Sequence, residues 1–262
     1  MILILIASLA CDRSESARNK RGETPNGEAL AATPRAAPQV PPYSTRALES
    51  IGRVTGVVEI DGPLPLDSVI QPALDQQVCG ISFTRRGIEA RGQRPADVVI
   101  WIDGIRSGKP LPLERRFEIS NDRCALLPEV QTAITGGTLN VRNQDAVEHR
   151  TRIVRRDGGE LLATIRETDE GQVVPDERVL SKPGVLELSC AVHAWTHAWI
   201  SVFDHPYFTR SASDGSFAID SVPPGRYQVR LWHPRLGVAQ DSVTVDPGVV
   251  SSVTLRPKAA TP

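Results

Sequence analysis

Residues 184–203 read GVLELSCAVHAWTHAWISVF, two alternating apolar runs on either side of a short, chemically dense loop. GVLELSC (184–190) and HAWISVF (197–203) each have the period-2 pattern of a half-buried strand. Leu188 to Ile200 holds one cysteine, two histidines and two tryptophans. The same rhythm of short strands runs through the chain on both sides. RVTGVVEI (53–60) alternates and is closed by DGPLP, and ADVVIWIDG (96–104) is a continuous apolar run of the kind found in central strands. EVQTAITGGTLNVRNQD (129–145) gives two strands around Thr135-Gly136-Gly137, a hairpin signal. GELLATIRE, GSFAID, GRYQVRLWH and DSVTVD come after it at intervals, separated by SVPPG and PRLGVAQ. With no amphipathic helical period beyond residue 50, the expectation is an all-β protein built of sandwiches.

Thirty basic residues nearly balance thirty-one acidic ones, for a net charge of −1. No basic stripe of the kind that holds nucleic acid is present, so nucleic acid is not an expected partner. A 262-residue chain with 40% hydrophobic content can bury one large core or two modest ones.

The N-terminus, MILILIASLAC (1–11), is too short an apolar run to span a bilayer, which takes about 20 residues. It reads as an export signal over 1–10. SLAC resembles a bacterial lipobox, which implies lipidation of Cys11. Ser8 and the lack of a preceding Lys or Arg depart from that pattern, and the alternative is an ordinary signal peptide cut near Ala10. Residues 11–48 are rich in Arg, Ser, Glu, Ala and Pro and poor in large apolar side chains, so they read as a disordered tether. The expected location is the periplasm or cell envelope, with the membrane reached only through the lipid.

Two parts of the chain resemble known families. DGSFAIDSVPPGRYQVRLWH (214–233) resembles the carboxypeptidase regulatory-like module, a small transthyretin-like β-sandwich that is usually non-catalytic. GRVTGVVEIDGPLP (52–65) resembles that module's opening strand. This implies a module over 207–262, completed by strand 52–60 if the two pieces meet in space, and a second domain over 49–206.

NQDAVEH (143–149), CAVHAWT (190–196), DHPYF (204–208) and DGSFAIDSVPPG (214–225) together resemble exported cupredoxin-like proteins, some described as methylamine-utilisation-like. The resemblance implies a cupredoxin-like Greek-key sandwich holding one copper ion through His149, Cys190 and His193. The family's methionine is Thr196 here, and the only Met of the sequence is Met1. The remaining candidates for a further ligand are Thr196 or a backbone carbonyl, His197 as a third imidazole, and Glu148 or Glu129 as a carboxylate. A lost site is the other outcome.

Cys79, Cys124 and Cys190 are an odd number of thiols beyond Cys11. In an oxidising compartment unpaired thiols are disfavoured. Pairing Cys79 with Cys124 leaves Cys190 free for metal, whereas pairing Cys190 with either one strands a thiol. His205 and His233 each precede a proline at a strand end and read as turn residues. Trp195 and Trp199 are expected over the site, and Trp101 and Trp232 in the core. Glu177, Arg178 and RRDGGE (155–160) read as solvated loop charge.

The expected function is electron transfer or copper handling, with an unknown redox or copper-donor protein as partner and no catalysis. The alternative is a cell-surface interaction module with a degenerate metal site. A Cys-His hydrolase is disfavoured, because a histidine three residues after a strand-end cysteine, with no nucleophile turn, does not build a nucleophile–base pair.

Overall fold

A computed structural model of the chain describes residues 42–258. The export signal, the Cys11 lipidation site and most of the tether lie outside the described residues. The described part is almost entirely β; its one α-helix is the four-residue Gln76–Cys79. Among the described residues no helix is long and apolar enough to cross a membrane.

The central sandwich has a five-stranded sheet in the order Val130–Ile134, His197–Phe203, Gly184–Cys190, His149–Arg155, Glu160–Glu167. Facing it is a four-stranded sheet in the order Ala125–Leu127, Arg116–Asp122, Thr138–Asn143, Val173–Asp176. Alternation puts Ile153, Leu186, Leu188, Ala198 and Ile200 inward from the first sheet, against Ile119, Leu126, Leu139 and Val141 from the second. All nine are at most 2% exposed. They form the dry wall on which the metal-ligand candidates stand.

The second sandwich has one sheet in the order Phe208–Arg210, Val99–Asp103, Gly225–His233, Gly237–Val245. Its other sheet is Ser216–Val222, Gly52–Val58, Val250–Leu255. Gly52–Val58 pairs on both sides with strands some 160 to 200 residues later, Val54 meeting Ile219 and Ser251. A division at residue 206 therefore follows the sequence but not the packing. Val99–Asp103 lies between Phe208–Arg210 and Gly225–His233, inside the second sandwich. A continuous apolar run shows that a strand is central and not which sheet it is central to.

Two further expectations are corrected. Residues 43–46, expected as tether, are docked onto the second sandwich. Ser44–Thr45 pairs in parallel with Ser107–Gly108, and Tyr43 packs on the core and donates its hydroxyl to the Lys109 carbonyl at 2.6 Å. The segment around Gly136 is a corner between sheets and not a hairpin. Val130–Ile134 pairs in parallel with His197–Phe203, whereas Thr138–Asn143 pairs in parallel with Arg116–Asp122. Gly136 takes φ 73°, and a Cβ on Gly137 would lie 2.5 Å from the Arg115 carbonyl oxygen. Glycine is needed there for the sheet switch.

The sandwiches meet through Val99, Val130, Phe203 and Trp232, with Trp101, Trp199 and Phe208 packed around them. Trp101 and Trp232 are thus residues of this contact, each with a guanidinium over its ring, from Arg230 and Arg156 respectively.

Candidate metal centre

His149 opens one strand of the five-stranded sheet and Cys190 closes its neighbour, which pairs Thr151 with Cys190. The two side chains therefore project from the same end and the same inner face of the sheet. The loop Ala191–Thr196 then turns back, with the Thr196 N–H donating to the His193 carbonyl at 3.0 Å, and this returns His193 over Cys190. The Sγ of Cys190 lies 3.7 Å from His149 Nδ1 and 3.6 Å from His193 Nδ1, and the two Nδ1 atoms are 3.1 Å apart. His149 and His193 are 0% exposed and Cys190 3%. One sulfur and two Nδ1 atoms thus converge on one small buried volume.

The outer ring nitrogens are each held by a carboxylate. His149 Nε2 is 2.9 Å from Asp145 Oδ2, and His193 Nε2 is 3.0 Å from Asp75 Oδ2. Asp145 is itself fixed by the backbone N–H groups of Arg123 at 2.6 Å and Cys124 at 2.9 Å. In the neutral form of each imidazole, donating Nε2–H outward to the carboxylate turns the Nδ1 lone pair toward the cysteine, the tautomer a metal requires.

The electrostatics follow from this packing. Burial raises the Cys190 thiol, but hydrogen bonding to His149 and His193 outweighs it and holds the group well below the usual thiol range. Burial works against a charged His149, and Asp145 and then Cys190 overcome it and raise that imidazole. Both shifts run toward a thiolate beside protonated imidazole in the metal-free cluster. Asp145 is lowered: burial opposes ionisation, but His149 and the two backbone donors prevail.

The disulfide Cys79–Cys124 is formed and Cys190 is free and buried. The other ligand candidates are not brought to the cluster. Thr196 is 2% exposed and near the loop's inner side, but its hydroxyl donates to the Cys124 carbonyl at 2.6 Å. His197 sits opposite Ser189 in register, one residue out of phase with inward Cys190, so it faces outward, with Nδ1 3.7 Å from Glu187. Glu148 is held by Arg150 at 2.6 Å and Arg166 at 2.7 Å, and Glu129 is paired with Arg235. Trp195 does lie by the site, its ring 5.2 Å from His193 and its Nε1 donating to the Cys124 carbonyl. Trp199 does not: it shares the outward face with His197 and stacks on it. His205 and His233 use Nδ1 to accept the backbone N–H two residues on, at Tyr207 and Arg235. Burial pushes both down to about 4.

Sequence reasoning missed three carboxylates. Asp145 lies inside NQDAVEH, four residues before His149, and that spacing was the available signal. Asp75 reaches His193 across 118 residues and left no local signal. Glu167 is directly opposite His149 in the strand pairing and 0% exposed, and neither of its oxygens has a hydrogen-bond partner. Burial pushes its carboxyl up to about 7, outweighing the opposing pull of Thr151 and His149. Between pH 4.5 and 7 the folded protein therefore holds a proton on Glu167 that the unfolded chain has released, so stability falls as pH rises through this window. Above it the cost is on the order of 3 kcal/mol. In metal-free protein, Glu167→Gln is expected to raise the urea midpoint at pH 8 and to change it little at pH 5. Equal effects at both pH values would count against a charge buried at this position.

Comparison with known proteins gives a partial picture. A family model described as polysaccharide lyase family 4, domain II, matches residues 181–253, less than a third of the chain. It spans the last strands of the central sandwich and most of the second; the carboxypeptidase regulatory-like module expected there is not the model that matches. No curated protein matches. Among solved structures, similarity is found to the copper-containing nitrite reductase of Thermus scotoductus SA-01, at 20% identity and a TM-score of 0.30. That match covers 39% of this chain and 24% of the reductase. A purple cupredoxin from Nitrosopumilus maritimus matches at 18% identity and a TM-score of 0.28, over 33% of this chain and 99% of that one. Auracyanin from Roseiflexus castenholzii matches at 17% identity and a TM-score of 0.30, over 35% of this chain and 99% of that one. The fold is all-β with cupredoxin-like neighbours. At these scores the likenesses add nothing to the geometry of the site.

Proposed function

We propose that this chain is an exported, lipid-anchored protein that binds one copper ion through His149, Cys190 and His193 and acts in electron transfer or copper handling, not in catalysis. The observation that carries this reading is the convergence of one buried thiolate and two buried Nδ1 atoms whose outer nitrogens are already occupied by carboxylates. A soft thiolate with two neutral imidazoles is the donor set of mononuclear copper–thiolate sites, and copper bound there supplies one-electron exchange.

The residues divide the work. Cys190 provides the anionic sulfur, and its backbone neighbourhood helps keep it ionised, the Arg150 N–H lying 3.5 Å from Sγ. Asp145 and Asp75 hold the imidazoles in one tautomer and one orientation, which limits rearrangement when charge at the centre changes. The protonated imidazole of the metal-free cluster must release its proton before it can ligate, so uptake should be proton-coupled and weaken as pH falls. With no methionine in the loop and the Thr196 hydroxyl committed to the Cys124 carbonyl, copper held by His149, Cys190 and His193 would find no thioether there. A weaker blue colour is the consequence expected of such a site. Export is supported by the Cys79–Cys124 disulfide, a bond that persists in oxidising compartments. The lipid anchor rests on the SLAC sequence alone.

Titration of the purified chain with copper(II) should saturate at one equivalent, with a thiolate-to-copper absorption band and a single spin-resonance species. A colourless protein that binds no copper would overturn the reading. It would favour the second one, an interaction module with a decayed site, for which the missing methionine at Thr196 is the supporting observation.

A further inference from the structure

The disulfide joins the two supports of the ligand cluster. On one side, Cys79 ends the helix Gln76–Cys79, and the residue before that helix is Asp75, with φ 52° and its carboxylate on His193. On the other side, the Cys124 N–H holds Asp145, which holds His149. The Cys124 carbonyl accepts Thr196 Oγ1 at 2.6 Å and Trp195 Nε1 at 3.1 Å, both in the loop that carries His193. One S–S bond therefore ties the strap bearing Asp75 to a residue that holds both Asp145 and the loop carrying His193.

The strap has little else to hold it. Residues 71–82 connect the short strands Ser68–Ile70 and Phe83–Arg85. Among the described residues, the strap's hydrogen bonds are internal, from Gln76 to Pro72, from Val78 and Cys79 to Asp75, and from Gly80 to Gln76. Asp75 to His193 is the exception. A single helical turn has no stability of its own, and Leu74 and Ile81 are 52% and 76% exposed, so the strap's apolar anchoring is limited to buried Pro72 and half-buried Val78. His193 is nevertheless 0% exposed, with its outer nitrogen turned to the strap.

We propose that Asp75 is a positioning residue for His193 and that the Cys79–Cys124 disulfide is the latch that keeps it in place. The carboxylate fixes Nε2–H and raises the basicity of Nδ1; the disulfide holds the strap beside His193 and so lowers the entropy lost in making the contact. Opening the latch then has the same consequence for His193 as deleting the carboxylate. This rests on the cluster of His149, Cys190 and His193, and its consequence for bound copper rests on the proposed function.

The test is carried out first on metal-free protein, by nitrogen-15 NMR of the histidine rings. Asp75→Ala should shift the His193 Nε2 signals, and Asp75→Glu should move them back toward wild type. Opening the disulfide in wild type, with Cys79→Ser plus Cys124→Ser or with a water-soluble phosphine, should give the same shift. In the chemical route the S–S bond becomes two thiols with protons from water, and the phosphine leaves as its oxide with the water oxygen. Asp75→Ala with the latch open should shift no further, since two changes acting through one contact are not additive. In copper-loaded protein, Asp75→Ala and the double serine variant should each speed copper release to a chelator by about 10–100-fold. An unchanged His193 signal in Asp75→Ala, or additive shifts, would overturn the inference. Failure of copper to bind in wild type would overturn the proposed function and leave the metal-free result to decide this one.

Discussion

Cys190→Ala is expected to remove the thiolate-to-copper band completely while leaving a folded protein. The band requires sulfur in the metal's coordination sphere, and no other free thiol is found among the described residues. Loss of a carboxylate that merely orients a ligand costs about 10–100-fold in affinity, so loss of the ligating sulfur should cost more than that. The fold should survive because Cys190 is a small side chain at a strand end, 3% exposed, next to a core that does not include it. His149 also keeps Asp145 as partner when the thiolate is gone. In metal-free protein the substitution removes the anion that helps raise His149, so that imidazole should titrate lower than in wild type. Absorption spectroscopy and competition with a copper chelator check the first claim, and histidine NMR the last. A variant that keeps the band would place copper elsewhere on the molecule.

How much of this could be read from the chain depended on the range over which each signal acts. Period-2 alternation is local, so Gly184–Cys190 and His197–Phe203 were legible as strands, and the density of Cys and His between them marked the site. Which sheet a strand joins is not local. Val99–Asp103 reads as a buried strand from its own five residues, but its partners begin at Phe208 and Gly225. Thr135-Gly136-Gly137 has the composition of a hairpin turn, and the same φ values serve a corner between sheets, which only the long-range parallel pairings reveal. At the centre, cysteine arithmetic favoured the 79–124 pair without closing the alternatives. The carboxylates behind the histidines were hidden in different degrees, Asp145 by four residues and Asp75 by 118. Glu167 was hidden by its type, since a buried carboxylate with no partner contradicts what a glutamate near a strand end suggests. Half-buried charges such as Glu148 and Glu129 drew attention as ligands because they stand near the motifs in sequence, and they are taken by arginines in space.

Asp145→Ala should be the most damaging substitution that leaves all three proposed ligands intact. The side chain is 4% exposed and accepts from the backbone N–H groups of Arg123 and Cys124 as well as meeting His149. Alanine would leave two donors without partners and a buried imidazole without its carboxylate. Each unsatisfied buried donor costs about 1–3 kcal/mol, and breaking a buried charge pair from one side about 3–5 kcal/mol. These terms overlap, because they share one side chain, so the expected loss is about 3–5 kcal/mol and not their sum. The sign with pH is fixed by the lowered carboxyl: its contribution is present above the ordinary aspartate range and disappears as pH falls through the folded value. The gap between wild type and variant in denaturant midpoint should therefore be largest near neutrality and shrink in acid. Asp145→Asn separates geometry from charge, since its one oxygen can satisfy one backbone donor while its amide faces the other. It should lose less stability than alanine, yet still weaken copper binding, because a neutral amide no longer draws the Nε2 proton outward and so leaves Nδ1 a poorer donor. If asparagine instead binds copper as tightly as wild type, Asp145 serves the turn at Arg123–Cys124 and not the metal ligand beside it.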